Sequence, residues 1–527
     1  MPGSAQKWTN ERSAAGKHNP WLIVAIISMA TFMEVLDTSI ANVSLSHIAG
    51  GLSASQDEAA WVLTSYLVSN AIVIPISGWL ADVVGRKRYY MISVALFTIS
   101  SLLCGMAPSL SFLIGARIFQ GIGGGGLAPS EQSILADSFP PAKRGQAFAA
   151  YGLVVVCGPV LGPTLGGWIT DNIGWHWIFL INVPVGILSL FLVHIFVCEP
   201  DKVVQERKEK LKGGLKVDYI GFALVAIGLG CLELTLDRGE RDDWFDSGFI
   251  TVTAIVSALS IILLVVWELS RKDPIVNLKL LGNRNFAITT MFMMTTGVVL
   301  FGTTQLIPQF AQEVLGYTAT NAGLALTTGG IATVCVMPLT GVLTGRVDTR
   351  LLLAPALLMQ VLALYVMAHW DAGISYGDLA QGRLISAIGL PFIFIPINTA
   401  AYVGLKPEQI NQASALLNVA RNLGGSLGIS VAQAMLVERG QVNQSRIVEG
   451  LNPLNPNYTQ GLAQIGKTIG TVAGDGSEQL GILFQQVQQQ AQALSYIQVF
   501  HALMVFVLLI TPLTIFLKQG NSAEQGG

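Results

Sequence analysis

The sequence predicts an all-α integral membrane protein of fourteen transmembrane helices, arranged as two six-helix bundles with two inserted helices between them. Three observations predict it. The chain of 527 residues is 52% hydrophobic with only 12% Asp, Glu, Lys and Arg. It holds fourteen apolar stretches of spanning length, and a repeat relates its two ends.

A soluble globular protein is about 25% charged. Half that value leaves too little charge to coat a water-facing surface of this size. The 56 glycines suit helices that pack closely in a bilayer. A net charge of −2 gives no basic field for nucleic acid. The five cysteines, Cys104, Cys157, Cys198, Cys231 and Cys335, lie singly in or beside apolar runs, without the CxxC or Cys/His spacing of a metal site or disulfide framework. No cofactor is implied.

A spanning helix needs about 20 mostly apolar residues. The candidates run over 21–45, 58–82, 88–107, 112–136, 145–169, 176–197, 218–236, 249–268, 286–311, 319–343, 350–369, 377–402, 410–436 and 497–517. The first is too long for a signal-peptide core, lacks a clean cleavage site and carries Glu34 and Asp37, so it reads as a retained helix. With both termini cytoplasmic, cytoplasmic segments hold 22 of the 30 basic residues, among them Arg86, Lys87 and Arg88. The opposite face holds five, and Arg117, Arg383 and Arg421 lie inside spans. This loop-by-loop alternation follows the positive-inside rule.

The repeat pairs Arg117-Ile-Phe-Gln-Gly-Ile-Gly123 with Arg383-Leu-Ile-Ser-Ala-Ile-Gly389 at an offset of 266. The same offset relates Gln146-Ala147 to Gln412-Ala413, Gly158 to Gly424 and Gly162 to Gly428. Pro75-Ile-Ser-Gly78 matches Pro338-Leu-Thr-Gly341 at 263. Spans one to six therefore match nine to fourteen, with seven and eight inserted. The expected division is a tail over 1–20, a first bundle over 21–197, linkers and inserted helices over 198–285, a second bundle over 286–517 with a periplasmic loop over 437–496, and a tail over 518–527. Two six-helix halves related by a parallel repeat are the architecture of major facilitator transporters, which bind substrate near the midplane between the halves.

Several segments resemble the fourteen-helix drug:proton antiporter branch of that superfamily, and together they cover nearly the whole chain. They are Leu36-Asp37-Thr-Ser-Ile-Ala-Asn-Val43 in the first span, Gly78-Trp-Leu-Ala-Asp82-Val-Val-Gly85-Arg86-Lys87-Arg88 after the second, and Arg117-Ile-Phe-Gln120-Gly121 in the fourth. Gly158-Pro159-Val-Leu-Gly162-Pro163-Thr-Leu-Gly166-Gly167 in the fifth span, Trp175-His-Trp-Ile-Phe-Leu-Ile-Asn182-Val-Pro184 and Leu236-Asp237-Arg238-Gly239 add to them. The resemblance implies a major facilitator fold in a bacterial inner membrane. It also implies proton-driven export of hydrophobic or amphipathic drugs, with no enzymatic activity.

Glu34 and Asp37 stand i, i+3 on one face of the first span. Ionised carboxylates are expensive there and commonly mark ion pathways or proton relays, and Arg117 is the natural counter-ion. A static salt bridge and a proton relay both fit these residues. The resemblance falls on Asp37 as proton site. Glu34 departs from the family pattern, where a neutral amide is common, and a carboxylate there would suit cationic drugs. For Gly78, Asp82, Gly85 and Arg86 the resemblance implies a gate latch, with Asp82 meeting the start of a helix in the other half and favouring the outward-facing state. Gly345 stands near the matching place in the second half, so that copy is degenerate. Gly158, Gly162 and Gly166 recur every four residues along one helix face, beside Pro159. Such a face suits close packing, and in the resembled family it governs leak-free antiport.

The candidate substrate residues are Gln120, Glu131, Gln132, Trp61, Tyr66, Phe301, Gln305, Asn398, Asn418 and Arg421, a few polar groups in an apolar surround. Helix-packing glue is the competing role for each. Gln309, Asn422 and Phe394 belong to the same group, whereas Glu233 belongs to the inserted pair, away from the expected cavity. Gly461-Leu-Ala-Gln-Ile-Gly466-Lys467-Thr468 matches a phosphate-cradling loop by letter, and Gly121-Ile-Gly123-Gly-Gly-Gly126 a dinucleotide fingerprint, but neither follows a strand. The Gln-rich stretch Ser477–Ser495 reads as an amphipathic helix entering the last span. For the segment 437–496 the resemblance suggests contact with a periplasmic adaptor, and through it an outer-membrane channel. Two rivals stand beside drug export: an exporter dedicated to one metabolite, and a transporter-like sensor.

Overall fold

The computed structural model describes residues 18–199, 204, 205, 207, 217–271, 274–344, 346–406, 409–451 and 477–517. Residues 1–17 of the N-terminal tail, Gly345, the phosphate-loop match at 461–468 and the C-terminal tail lie outside them.

The first half contains α1 (Pro20–Val43), α2 (Leu45–Gly51), α3 (Gln56–Val84), α4 (Arg86–Gly105), α5 (Leu110–Gly124), α6 (Leu127–Ser138), α7 (Pro141–Asn172), α8 (Trp177–Leu180) and α9 (Asn182–Phe196). The insert is α10 (Tyr219–Arg238) and α11 (Gly248–Ser270). The second half contains α12 (Arg284–Glu313), α13 (Ala319–Thr344), α14 (Thr349–Met367), α15 (Tyr376–Ala400), α16 (Ile410–Glu449) and α17 (Ser477–Ile510). Among the described residues there is no β-strand.

Local chemistry sets the ends of these helices. Asn19 caps α1, its side chain accepting from the Trp21 N–H at 3.0 Å, with Pro20 in the first turn. Ser55 and Glu58 form a capping box on α3, and Ser375 and Asp378 form one on α15. Gly85 ends α3 at φ +101°, a left-handed backbone that a side chain disfavours, and α4 starts directly after it.

Eleven of the described helical segments are long and apolar enough to cross a membrane. The predicted spans 112–136, 145–169 and 410–436 are helical but not among the eleven. The first of these is broken, because the glycine run ends α5 at Gly124 and α6 begins at Leu127. Each piece is then shorter than a span. The candidate 176–197 is interrupted at Ile181 between α8 and α9, yet Trp177–Phe196 counts among the eleven. Of the segment 437–496, residues 437–449 continue α16, a helix of 40 residues, and 477–496 open α17. Residues 452–476 lie outside the described residues.

The helices pack as two groups. α1 lies along α7, and α5 lies along α3 and α4; in the second group α12 lies along α16, and α15 lies along α13 and α14. The groups meet where α3 packs on α16 and α13 packs on α7. Apolar side chains face outward as well as inward: Val252, Ile255, Leu259, Ile262 and Val266 of α11 are exposed. A surface of this kind is stable against lipid, where backbone groups are satisfied within each helix. The insert is peripheral, with only 28% of the α11 apolar window buried, and α10 rests on α3 and α16.

Candidate functional site: a buried ion pair and a closed seam

Asp37 on α1 and Arg117 on α5 form an ion pair with both side chains fully buried. Arg117 Nη1 donates to Asp37 Oδ2 at 2.5 Å, and its Nε donates to the Val62 carbonyl at 3.0 Å. Gln120 Nε2 and Asn182 Nδ2 donate to Asp37 Oδ1 at 2.9 and 2.8 Å. Tyr66 lies 4.3 Å beneath the guanidinium. Three donors and an aromatic face thus compensate a pair that would otherwise be costly in this setting. Gln120, expected on a substrate surface, belongs to this cluster. Asn182 was quoted in a motif without a role; only the fold brings it to Asp37.

Glu34 shares the face of Asp37 but has other partners. Tyr66 OH and Asn70 Nδ2 reach its Oε1 at 3.4 and 3.3 Å, and Arg421 of the second half lies within electrostatic reach. Arg117 is committed to Asp37. Glu131 on α6 is buried among hydroxyls: Thr31 donates to Oε2, and Tyr90 OH lies 3.1 Å from Oε1.

The halves are joined at the end where the Gly85 turn lies. Asn411 Nδ2 donates to Asp82 Oδ1 at 2.5 Å, and Gln412 Nε2 to Asp82 Oδ2 at 3.3 Å, so Asp82 holds the first turn of α16. Gln132 accepts from Asn418 at 2.8 Å and Ser414 at 3.2 Å, and Ser414 also lies 2.9 Å from the Pro129 carbonyl. Phe148 stacks on Tyr402 across the same seam at 6.0 Å. Arg86 pairs with Asp137, tying the start of α4 to the end of α6. The seam is closed at this end.

Packing at the seam repeats the sequence repeat. A Cβ on Gly78 would stand 2.9 Å from Gln412 Cα, and one on Gly341 3.1 Å from Gln146 Cα. Residues paired by the repeat are therefore exchanged by a twofold relation. Gly158, Gly162 and Gly166 face α1, where a Cβ would meet Val35, Ser39 and Ile40, on either side of Asp37. Gly424 and Gly428 face α12 in the same manner, at Met294 and Val298.

The chemistry does not repeat. The offset of 266 carries Arg117 onto Arg383 and Asp37 onto Thr303. Arg383 Nη1 is 3.4 Å from the Thr303 hydroxyl, its Nε has no partner, and no carboxylate pairs with it among the described residues.

The remaining candidates are spread out. Trp61 lies 5.1 Å from the Arg238 guanidinium, against the insert. Phe301 packs on Gly425, Gln305 is exposed, and Asn398 is bonded to the Phe394 carbonyl in its own helix. Glu233 meets the Ser426 hydroxyl at 2.9 Å, joining the insert to the second half. The side chain of Pro159 lies outside what the structure describes.

The Major Facilitator Superfamily sequence model matches residues 27–429. The multidrug export protein EmrB of Escherichia coli (strain K12) is 37% identical over 507 residues, 96% of this chain and 97% of that protein. The fatty acid resistance protein FarB of Neisseria gonorrhoeae is 35% identical over 509 residues, again 96% and 97%. Among solved structures, the proton:xylose symporter XylE superposes with a TM-score of 0.60 at 15% identity, covering 95% of this chain and 96% of that one. The chain belongs to the Major Facilitator Superfamily, on its EmrB-like branch, and is a multi-pass membrane transporter rather than an enzyme.

Proposed function

We propose that the chain is a proton-driven antiporter that exports hydrophobic or amphipathic drugs and toxic compounds, as the inner-membrane part of a tripartite system with a periplasmic adaptor and an outer-membrane channel. One observation carries this reading: the fully buried Asp37–Arg117 pair, built into the half whose seam is latched through Asp82. Protonating Asp37 removes the charge that Arg117 neutralises, and Arg117, Gln120 and Asn182 must then rearrange. The glycine face of α7 presses on α1 around that carboxylate, so a change at Asp37 bears on the contact between these two helices. Similarity to multidrug export proteins supports drugs as the substrate class.

On this reading Glu34, Tyr66, Gln132, Asn418 and Arg421 contribute to the substrate surface, with Phe301, Gln305 and Asn398 on the second half. The distribution of basic residues supports cytoplasmic termini, and on this reading the latched seam lies on the cytoplasmic side and the state described is closed to the cytoplasm. The expected six, two and six division of fourteen spans stands within the same proposal.

The test is collapse of a pH gradient by candidate drugs in inverted vesicles, with a substrate panel in a pump-deficient strain, with and without an adaptor. Drug-induced proton movement that is lost in Asp37→Asn supports antiport. Ligand binding without proton movement supports a sensor. Similarity to a fatty acid resistance protein favours a second reading, an exporter dedicated to one anionic amphiphile, which the panel separates by breadth.

A further inference from the structure

Glu131 is a buried carboxylate within the first bundle that the proposed mechanism leaves unused. Its side chain is 0% exposed, and among the described residues no ion pair involves it. The groups facing it from each packed element are known. α1 presents Thr31 and Glu34, α4 presents Tyr90, and α7 presents Tyr151. On α3 the neighbouring groups are Tyr66 and Asn70, which are turned to Glu34, and on α5 Arg117 is committed to Asp37. Arg421 on α16 reaches Glu34 and Tyr151 but makes no salt bridge with Glu131. An ionised carboxylate in such a place is costly.

The hydrogen count adds an independent reason for a proton. The Tyr90 phenol has one hydrogen; besides the Ser189 hydroxyl, which carries its own, it has two acceptor neighbours, the Ile27 carbonyl at 2.9 Å and Glu131 Oε1 at 3.1 Å. A carbonyl only accepts. If Glu131 is ionised, one of the two contacts lacks a hydrogen. If Glu131 is a neutral acid, it donates to the Tyr90 oxygen while Tyr90 donates to Ile27, and Thr31 donates to the other carboxyl oxygen. Every contact is then served.

Position links this proton to the seam. The next residue, Gln132, holds Asn418 and Ser414 of the second half. Separation of the halves at this end breaks those bonds and admits water beside α6.

We propose that Glu131 is a proton-binding site of the transport cycle, distinct from the Asp37–Arg117 pair, occupied while the seam at Gln132 is closed and emptied when it opens. The step balances as one proton leaving the carboxylic acid for water on the side that opens, with the carboxylate left hydrated. Glu131 would thereby set how many protons cross per cycle. This rests on the antiporter reading above.

Infrared difference spectroscopy on the full chain in lipid vesicles tests it without a known substrate. A protonated-carboxyl band should be present at low pH, fade as pH rises, and be missing from Glu131→Gln. In vesicles loaded with ethidium as the probe, Glu131→Gln should lose the added accumulation that a pH gradient gives, measured relative to its own dye exchange without a gradient. Glu131→Asp should restore part of that accumulation. A carboxyl band that never titrates, with gradient-driven accumulation unchanged in Glu131→Gln, overturns the proposal and leaves a structural hydrogen bond. If Asp37→Asn also retains gradient-driven accumulation, the antiporter reading fails as well; a normal Glu131→Gln beside a dead Asp37→Asn sinks only the present proposal.

Discussion

Arg117 donates to Asp37 at 2.5 Å with neither side chain exposed, while Arg383, its counterpart in the repeat, faces the hydroxyl of Thr303 at 3.4 Å. Breaking a buried ion pair from one side typically costs about 3–5 kcal/mol, because a charge is left without a partner. Asp37→Ala should therefore lower thermal stability in detergent strongly. Asp37→Ala combined with Arg117→Met should recover part of the loss, and a double-mutant cycle measures the coupling.

The second half offers the reverse experiment. Thr303→Asp places a carboxylate against Arg383, and thermal stability should rise. The gain should vanish in Arg383→Met, since residues in contact couple by about 0.5–3 kcal/mol.

Gly78 and Gly341 make the same close approach and should respond alike to added volume. Gly78→Ala puts a methyl 2.9 Å from Gln412 Cα and 3.0 Å from the Asn411 carbonyl, backbone atoms that must move. The closed seam should lose about 1–3 kcal/mol, the usual cost of overpacking. Greater labelling of a cysteine placed at Gln132, in an otherwise cysteine-free chain, reads the opening.

Gly158→Val tests the contact of α7 with α1, where even a Cβ comes within 2.9 Å of Val35 Cβ. Displacing α1 shifts Asp37 as well. Gradient-driven transport should fall more than passive drug exchange, and the ratio of the two rates checks it.

The insert supplies a pH prediction. Burial alone would raise the Asp218 carboxyl, but the Gly221 N–H, the Trp267 indole and the Arg271 guanidinium together hold it below its ordinary value of 3.8. A lowered carboxyl stabilises the fold above its unfolded value, and that contribution disappears as pH falls through the lower folded value. The hydrogen-exchange protection factors of α10 and α11, corrected for the intrinsic pH dependence of amide exchange, should therefore fall on acidification below about pH 4, the ordinary aspartate range. Asp218→Asn should make exchange faster at neutral pH and flatten the acid-side change.

What the sequence revealed follows from what leaves a periodic or compositional trace. Apolar length marks most helices directly, and the repeat pairs Gly78 with Gly341 in the sequence, while only the fold shows that both sit at the seam. The pairing of Asp37 with Arg117 was legible because each charge is costly alone in a span. Asn182, Tyr90, Thr31 and Tyr151 were not legible as site residues: uncharged polar side chains are ordinary in membrane helices, and only the fold brings them to Asp37 or Glu131. The break between α5 and α6 was hidden because a glycine run leaves hydropathy intact while removing helical support. Trp61 reads as cavity surface in the sequence, yet it lies against Arg238, whose place depends on how the insert docks.

Two packing surfaces built from matched glycines hold the halves together, but the charged pair behind them occurs once. Duplication has left spare copies of the scaffold and no spare copy of Asp37. On the proposed antiport reading, a compound or mutation that disables the buried surroundings of Asp37 meets no backup in the other half, whereas damage to a glycine contact on one side leaves its twin in place. The duplicated architecture is redundant in its scaffold, while its buried ion pair has no duplicate.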